Sequence, residues 1–143
     1  MGNIATKTEG GYEKIYTVYA GAHIYAGNFV YIKASDGLAY AFTDAAGYYC
    51  AGIALEEIDD SPSSTGLMKI RVQCDARVTM AQTGTTLSAA SHYAALAYVA
   101  TATTIDDGTT TSHDAIVGLV IYYKDTSNII VDMSHRATWA VSP

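Results

Sequence analysis

The sequence predicts an all-β fold: a single-domain small β-barrel or sandwich of about nine short strands that follows a flexible N-terminal arm. Apolar runs of strand length recur at spacings of roughly ten residues, and turn residues separate them. Half of the residues are apolar and only 15% are charged, which is typical of a folded chain. We divide the chain into an arm (1–13), a β-rich body (14–133) and a C-terminal tail (134–143).

The central unit, residues 47–74, reads as strand, acidic turn and strand. Residues 48–55 form an apolar run broken at Gly52, where a missing side chain lets a neighbouring backbone approach closely. Residues 56–66 collect acids, Ser, Pro and Gly, which favour turns. Residues 67–74 alternate strictly, which predicts a half-buried strand. One predicted face of this strand carries Met68, Ile70, Val72 and Cys74.

The elements before this unit are an arm, a strand and a hairpin. Residues 1–13 contain three glycines and lack periodicity, so they predict the arm. Residues 14–20 predict a strand with apolar groups on both faces, which is covered on both sides or completed by another molecule. Glycines mark a bend around His23. Residues 29–33 and 38–42 flank Asp36-Gly37, a strong hairpin signal.

The elements after it are less regular. Residues 76–80 predict a strand and residues 82–91 a loop, whereas residues 89–99 are the one place where a helix is plausible. The Thr-rich residues 101–114 predict a strand, a turn at Asp107-Gly108 and a second strand. Residues 115–123 and 128–133 predict the last two strands, and the tail contains Trp139.

Composition argues against several partners and compartments. The net charge is −6 and the eight basic residues are scattered, so we expect no nucleic-acid partner. No apolar stretch is long enough to span a bilayer, and the N-terminus lacks the features of a secretion leader, so we expect a protein made in the cytoplasm without a membrane partner. Cys50 and Cys74 are then expected to be reduced, as small apolar residues on two strands.

Candidate catalytic and metal residues are sparse. The four histidines stand singly, and His113-Asp114 lacks a Ser partner for a triad, so the chain is predicted to be no enzyme. The acidic cluster (Glu56, Glu57, Asp59 and Asp60) does not match the EF-hand spacing. We interpret it as a solvated acidic turn, and expect no metal and no cofactor.

The high proportion of tyrosine among the aromatic residues indicates a binding function. The chain has twelve tyrosines against two phenylalanines and one tryptophan. Tyrosine suits half-exposed positions and protein interfaces, because its ring buries area while its hydroxyl stays hydrated. A sugar-stacking surface is the alternative. Tyr48-Tyr49 and Tyr122-Tyr123 each place one ring on either face of a strand, which favours protein contact over a sugar platform.

The order of several segments resembles the small capsid cement, or head decoration, proteins of tailed phages. The segments are TEGGY, AGAHIYAGNFVYI, SDGLAYAF, AGIALEEIDDS, GLMKIRVQCDARVTMA, LAYV, AIVGLVI and IIVDMS, which together cover residues 8–133. In that family a glycine usually precedes the LAYV-like strand and an acidic turn follows it. Here residues 93–95 and 101–104 stand in those places, which leaves the strand pairing of residues 87–111 open.

The resemblance implies a β-barrel-like, often trimeric protein on the outer face of an icosahedral head. It implies the major capsid protein and further copies of the chain as partners, with no cofactor and no catalysis. A carbohydrate-binding β-sandwich module on a virion or cell surface is the alternative function. The candidate contact residues for capsid or neighbouring protomer are Ile4, Tyr12, Tyr16, Tyr19, Tyr25 and Trp139.

Overall fold

A computed structural model describes residues 13–88 and 95–134 of the chain. These residues form twelve β-strands and no helix. The strands are β1 (Glu13–Thr17), β2 (His23–Ile24), β3 (Phe29–Lys33), β4 (Ala39–Tyr40), β5 (Tyr48–Ala54), β6 (Ile58–Asp59), β7 (Lys69–Gln73), β8 (Arg77–Gln82), β9 (Leu96–Val99), β10 (Thr104–Asp106), β11 (Ile116–Asp125) and β12 (Asn128–Asp132). The predicted all-β class is confirmed, with twelve strands rather than nine.

The first half of the chain forms a curled, five-stranded antiparallel sheet in the order β1-β7-β5-β3-β4. A parallel bridge between Val18 and Ala39 joins its two outer strands, so the sheet curls around its own core. Period-two alternation explains which residues fill that core, because successive side chains of a strand point to opposite faces. The buried residues inside this sheet are Val18, Ile24, Val30, Ile32, Ala39, Ala51, Ala54, Ile70 and Val72.

The second half forms a closed five-stranded barrel in the order β10-β8-β12-β11-β9. Its pairings are antiparallel except for the parallel pair of β10 and β8. β11 is the longest strand and contains a register shift between Ile116 and Gly118. The core of this barrel includes Val117, Val120, Ile129, Val131 and Met133, all of them fully buried.

The two halves pack through the outer face of β3 and β5. Phe29, Tyr31 and Cys50 point away from the first core and join the core of the barrel. Both strands are therefore covered on both faces, which explains why their sequences are apolar almost throughout. Across this junction the backbone N–H of Phe29 donates to the carbonyl of Ala102 at 2.9 Å.

Several predicted boundaries are corrected by the structure. β1 begins at Glu13, which the sequence analysis gave to the arm, and ends at Thr17 rather than at residue 20. Residues 109–115 form an irregular loop with bends instead of the predicted second Thr-rich strand. Residues 96–99 are strand β9, and the rest of the segment where a helix was plausible lies largely outside the described residues.

Candidate functional site

Large apolar side chains on the surface mark the candidate site. Two of the six predicted contact residues, Tyr19 and Tyr25, are exposed, whereas Tyr16 is half-buried and packs against the first core. Ile4, Tyr12 and Trp139 lie outside the described residues. The exposed large apolar residues are Ile15, Tyr19, Tyr25, Leu67, Met68, Leu119 and Tyr122.

Four of these residues lie on strands β1 and β7 or directly beside them. Ile15 is 64% exposed and pairs with Arg71. Because Ile70 and Val72 point into the core, the side chains of Ile15 and Arg71 lie on the outward face of the sheet. The N–H of Val18 donates to the carbonyl of Met68 at 2.8 Å, which continues the register and brings Leu67, 79% exposed, beside Tyr19. We call this surface the β1–β7 patch: Ile15, Tyr19, Leu67 and Met68, with the cations Lys69 and Arg71.

A second apolar surface lies on the barrel. Leu119 of β11 stands between Leu96 of β9 and Asp132 of β12 in the strand register. Tyr122, 48% exposed, pairs with Ile130, whose neighbours Ile129 and Val131 point inward. We call this surface the β11 patch: Leu96, Leu119, Tyr122 and Ile130, with the carboxylate of Asp132.

Tyrosine rings stack where the β1–β7 patch meets β4. The rings of Tyr19 and Tyr40 stack with centroids 4.5 Å apart, and Tyr48 meets Tyr40 edge-on at 5.2 Å. The hydroxyl of Tyr40 donates to Asp36 at 2.6 Å. Desolvation and this hydrogen bond to Asp36 raise the pKa of Tyr40 above its ordinary value, so its hydroxyl remains a donor. The stack holds Tyr19 in place while its outer side is exposed to solvent.

A second stack contains His23 and Tyr25. Their rings lie 4.1 Å apart, and Tyr25 is 52% exposed. His23 Nε2 is 2.7 Å from a carboxylate oxygen of Glu57, and His23 Nδ1 is 3.6 Å from one of Asp59. β2 pairs with β6 here, so the predicted bend around His23 and part of the acidic cluster form a two-stranded sheet.

Asp60 corrects the interpretation of the acidic cluster as a solvated turn. Its side chain is fully buried and accepts hydrogen bonds from the backbone N–H groups of Gly66, Gly21 and Thr65, at 2.9 to 3.1 Å, and from the Thr65 hydroxyl. The N–H groups of Gly66 and Gly21 hold the pKa of Asp60 below its ordinary value. Asp60 therefore fixes residues 60–66 against the first sheet.

The other carboxylates of the acidic cluster also contact protein groups. Glu56 accepts the N–H of Arg71 at 3.0 Å, and Asp59 accepts the N–H of Ser61 at 2.9 Å. Within residues 13–88 and 95–134, no group of three or more His, Cys, Asp or Glu side chains is placed to hold a metal ion.

His113 is the other histidine in the described chain with a carboxylate partner. Asp44 accepts the backbone N–H groups of Ser112 and His113 at 2.9 and 2.8 Å and lies 3.2 Å from His113 Nδ1. The hydrogen bonds from Ser112 and His113 lower the pKa of Asp44. This arrangement ties two loops together. His92 and His135 lie outside the described residues.

The two cysteines lie in separate cores and form no disulfide. Cys50 is buried in the barrel core and Cys74 packs against the first one. Residues 13–88 and 95–134 contain no helix that is long and apolar enough to cross a membrane. Comparisons with family models, with curated protein sequences and with solved structures find no match for this chain.

Five of the seven exposed large apolar residues are not among the predicted contact residues. The exposure of Ile15 could have been predicted, because the predicted strand over residues 14–20 has apolar groups on both faces. Leu67 and Met68 sit at the start of an alternating strand, where the pattern alone gives no indication that they are exposed. Leu119 and Tyr122 lie in an almost continuously apolar segment whose outward positions only the register identifies.

Proposed function

We propose that the chain is a non-enzymatic capsid decoration protein of a tailed phage. It binds the outer surface of the icosahedral head as a homotrimer and stabilises the head by bridging capsomers. Its partners are the major capsid protein and further copies of itself, with no nucleic acid, membrane or cofactor. It is made in the host cytoplasm and resides on the virion. The observation that supports this proposal is the set of large apolar side chains that are exposed on the surface of the β-strands and their adjoining loops.

The free energy of binding comes mainly from apolar surface that a partner buries. Burying apolar surface contributes about 25 cal/mol per Å², so exposed rings and aliphatic side chains are the groups that gain most from a partner surface. Tyr19 and Tyr25 are already held by Tyr40 and His23, so their rings lose little conformational freedom on binding. A protein that binds only the mature head stabilises that state by mass action.

The resemblance of the sequence to cement proteins supports the same proposal. Its segments IYAGNFVYI and GIALEEIDDS contain Tyr25, most of β3, strand β6 and Ile24 of β2. These segments form the scaffold on which the Tyr25 stack is built. Tyr25 directly follows β2, so the β2–β6 pair fixes the position of this candidate contact residue.

The experiment that tests the proposal is co-sedimentation with purified heads that lack decoration. The wild-type chain should sediment with the heads and raise their disruption temperature. Tyr19→Ala and Tyr25→Ala should weaken binding by roughly tenfold or more each, as expected for aromatic anchors. Thr103→Ala, at an exposed position outside both patches, is the control and should bind like the wild type. A wild-type chain that stays in the supernatant with every head preparation would overturn the proposal.

A carbohydrate-binding module is the second candidate, and the two ring stacks favour it. An exposed ring that is already stacked offers one flat face, which suits a sugar. Glycan-array binding that is lost in Tyr25→Ala, together with no binding to heads, would favour this candidate over decoration. Binding to heads without any glycan signal would favour decoration.

A further inference from the structure

The two outer strands of the first sheet meet at a short seam. Val18 and Ala39 form a parallel bridge there, and the N–H of Tyr19 donates to the carbonyl of Ala39 at 2.9 Å. Val18 and Ala39 are fully buried. Because successive side chains of a strand point to opposite faces, the next residues, Tyr19 and Tyr40, both lie on the outward face. The seam therefore places these two tyrosines side by side, although they are 21 positions apart in the chain.

The rings of Tyr19 and Tyr40 touch, and one of them is open to solvent. Their centroids lie 4.5 Å apart and their planes differ by 22°, which brings ring carbons of the two side chains into van der Waals contact. Tyr19 is 45% exposed, so a dissolved oxidant has access to its ring. Tyr48 lies against Tyr40 in a different way, edge-on at 5.2 Å.

Asp36 gives Tyr40 a proton acceptor. The Tyr40 hydroxyl donates to Oδ2 of Asp36 at 2.6 Å, and the N–H of Leu38 donates to Oδ1 at 2.9 Å, which fixes the carboxylate. A phenol loses an electron most readily when its proton leaves at the same time, because no ring cation then has to form. The Asp36 carboxylate is within hydrogen-bond distance of the proton that must leave.

We propose that Tyr19 and Tyr40 form an oxidative cross-linking site, where hydrogen peroxide acting through a haem peroxidase joins the two rings as dityrosine. Each phenol loses one electron and one proton; the Tyr40 proton leaves through Asp36 and the Tyr19 proton leaves to water. A carbon–carbon bond then forms between two ring carbons, each adjacent to a carbon that bears oxygen. The hydrogen on each bonded carbon leaves as a proton, and each oxygen regains one. The peroxide accepts the two electrons and two protons and becomes two waters.

Proximity favours this pair over other exposed tyrosines. Groups held in contact react as if at very high concentration, whereas a cross-link between molecules requires a collision. Tyr25 is 52% exposed, but its ring stacks on His23 rather than on a second tyrosine. The cross-link would close the seam covalently. By restricting the unfolded chain, a closed loop of this length raises the melting temperature by about 5–10 °C.

Peroxidase treatment of the dilute full chain tests the site. We expect dityrosine fluorescence in a monomeric product whose mass has fallen by two hydrogen atoms. Because trypsin cleaves after Lys33, digestion should release two joined peptides, one with Tyr19 and the other with Tyr40. The purified product should melt above the untreated chain by the shift given above.

Matched variants identify the reacting rings. Tyr19→Phe and Tyr40→Phe each keep a ring in the stack but remove a phenol, so each should abolish the monomeric dityrosine product. Asp36→Asn should slow its formation several-fold, because an amide does not take up the proton. Tyr25→Phe is the control, since it removes an exposed tyrosine outside the stack, and it should leave the yield unchanged. Circular dichroism confirms that each variant is folded.

Four results would overturn the proposal. They are dityrosine only between molecules, a link from Tyr40 to Tyr48 within one tryptic peptide, a monomeric dityrosine product that persists in Tyr40→Phe, and a gain of oxygen at the exposed Met68 without any dityrosine. A linked product that melts like the untreated chain would show that the cross-link does not staple the seam.

Discussion

Gly52 is the residue whose substitution tests the packing of the first sheet most directly. A Cβ atom added at this position would lie 2.0 Å from the carbonyl oxygen of Gln73 and 3.0 Å from Cγ1 of Val72. Gly52 also has a φ of 155°, which side chains rarely adopt. The close approach predicted for Gly52 is thus confirmed, and β7 is the strand that approaches.

The cost of Gly52→Ala follows from the contacts that must open. β5 and β7 pair at Ile53↔Gln73 and Ala54↔Val72, and the N–H of Leu55 donates to the carbonyl of Arg71 at 3.0 Å, so moving Gln73 away disturbs most of this short pairing. Loss of two or three backbone hydrogen bonds costs about 1 kcal/mol each. A strained backbone conformation adds about 1–3 kcal/mol. We therefore expect a loss of about 3–6 kcal/mol in the free energy of unfolding, which lowers the melting temperature by about 10–20 °C for a chain of this length.

Thermal and urea unfolding followed by circular dichroism measure this loss. The matched control is Gly27→Ala, since Gly27 has a φ of 85° but no atom within 4 Å of an added Cβ. The control carries backbone strain of about 1 kcal/mol without a clash. If Gly52→Ala melts within about 2 °C of Gly27→Ala, the close contact with Gln73 does not hold the sheet together and the reasoning is wrong.

Three further predictions concern the acidic cluster and the arm. Asp60→Asn should lower the melting temperature at pH 7. Because the N–H groups of Gly66 and Gly21 depress the pKa of Asp60, its stabilisation is present above about pH 4 and is lost as the pH falls towards the lower folded-state value. The difference from wild type should therefore shrink in acid, and a constant difference between pH 7 and pH 2 would contradict it. EDTA should leave the wild-type melting temperature unchanged, because we expect the acidic cluster to hold no metal; a large drop would show that it does. Deleting residues 2–11 should leave melting nearly unchanged yet weaken binding to heads, whereas wild-type affinity would show that the arm makes no contact.

Local periodicity predicted the strands that carry the cores. The alternation over residues 67–74 predicted that Ile70 and Val72 share a face, and both are fully buried. The apolar runs at residues 29–33 and 48–55 match β3 and β5 because strands covered on both faces need apolar residues throughout. These features depend on residues close in sequence, so one sequence suffices to predict them.

Features that depend on distant partners were not predictable in the same way. Asp60 is buried because the N–H of Gly21, 39 residues earlier, donates to its carboxylate. The Thr-rich segment after Gly108 contains no strand, since Asp44 accepts the N–H groups of Ser112 and His113 from 68 and 69 residues away. A side chain that satisfies backbone donors removes the need for a neighbouring strand. Local patterns in the sequence do not identify such a donor and acceptor pair.

In the predicted strand over residues 14–20, the strand register of the structure shows which apolar residues are buried and which are exposed. Its sequence has apolar groups on both faces, which predicted that the strand is covered on both sides or completed by another molecule. The structure covers one face, with Val18 buried and Tyr16 packed on the core, and leaves Ile15 and Tyr19 exposed. The core accounts for Val18 and Tyr16, and the stack on Tyr40 accounts for one side of the Tyr19 ring, whereas Ile15 is 64% exposed. Ile15 on β1 and the outer side of the Tyr19 ring just beyond it are therefore the apolar groups of this segment that the folded chain leaves exposed, close to Leu67 and Lys69.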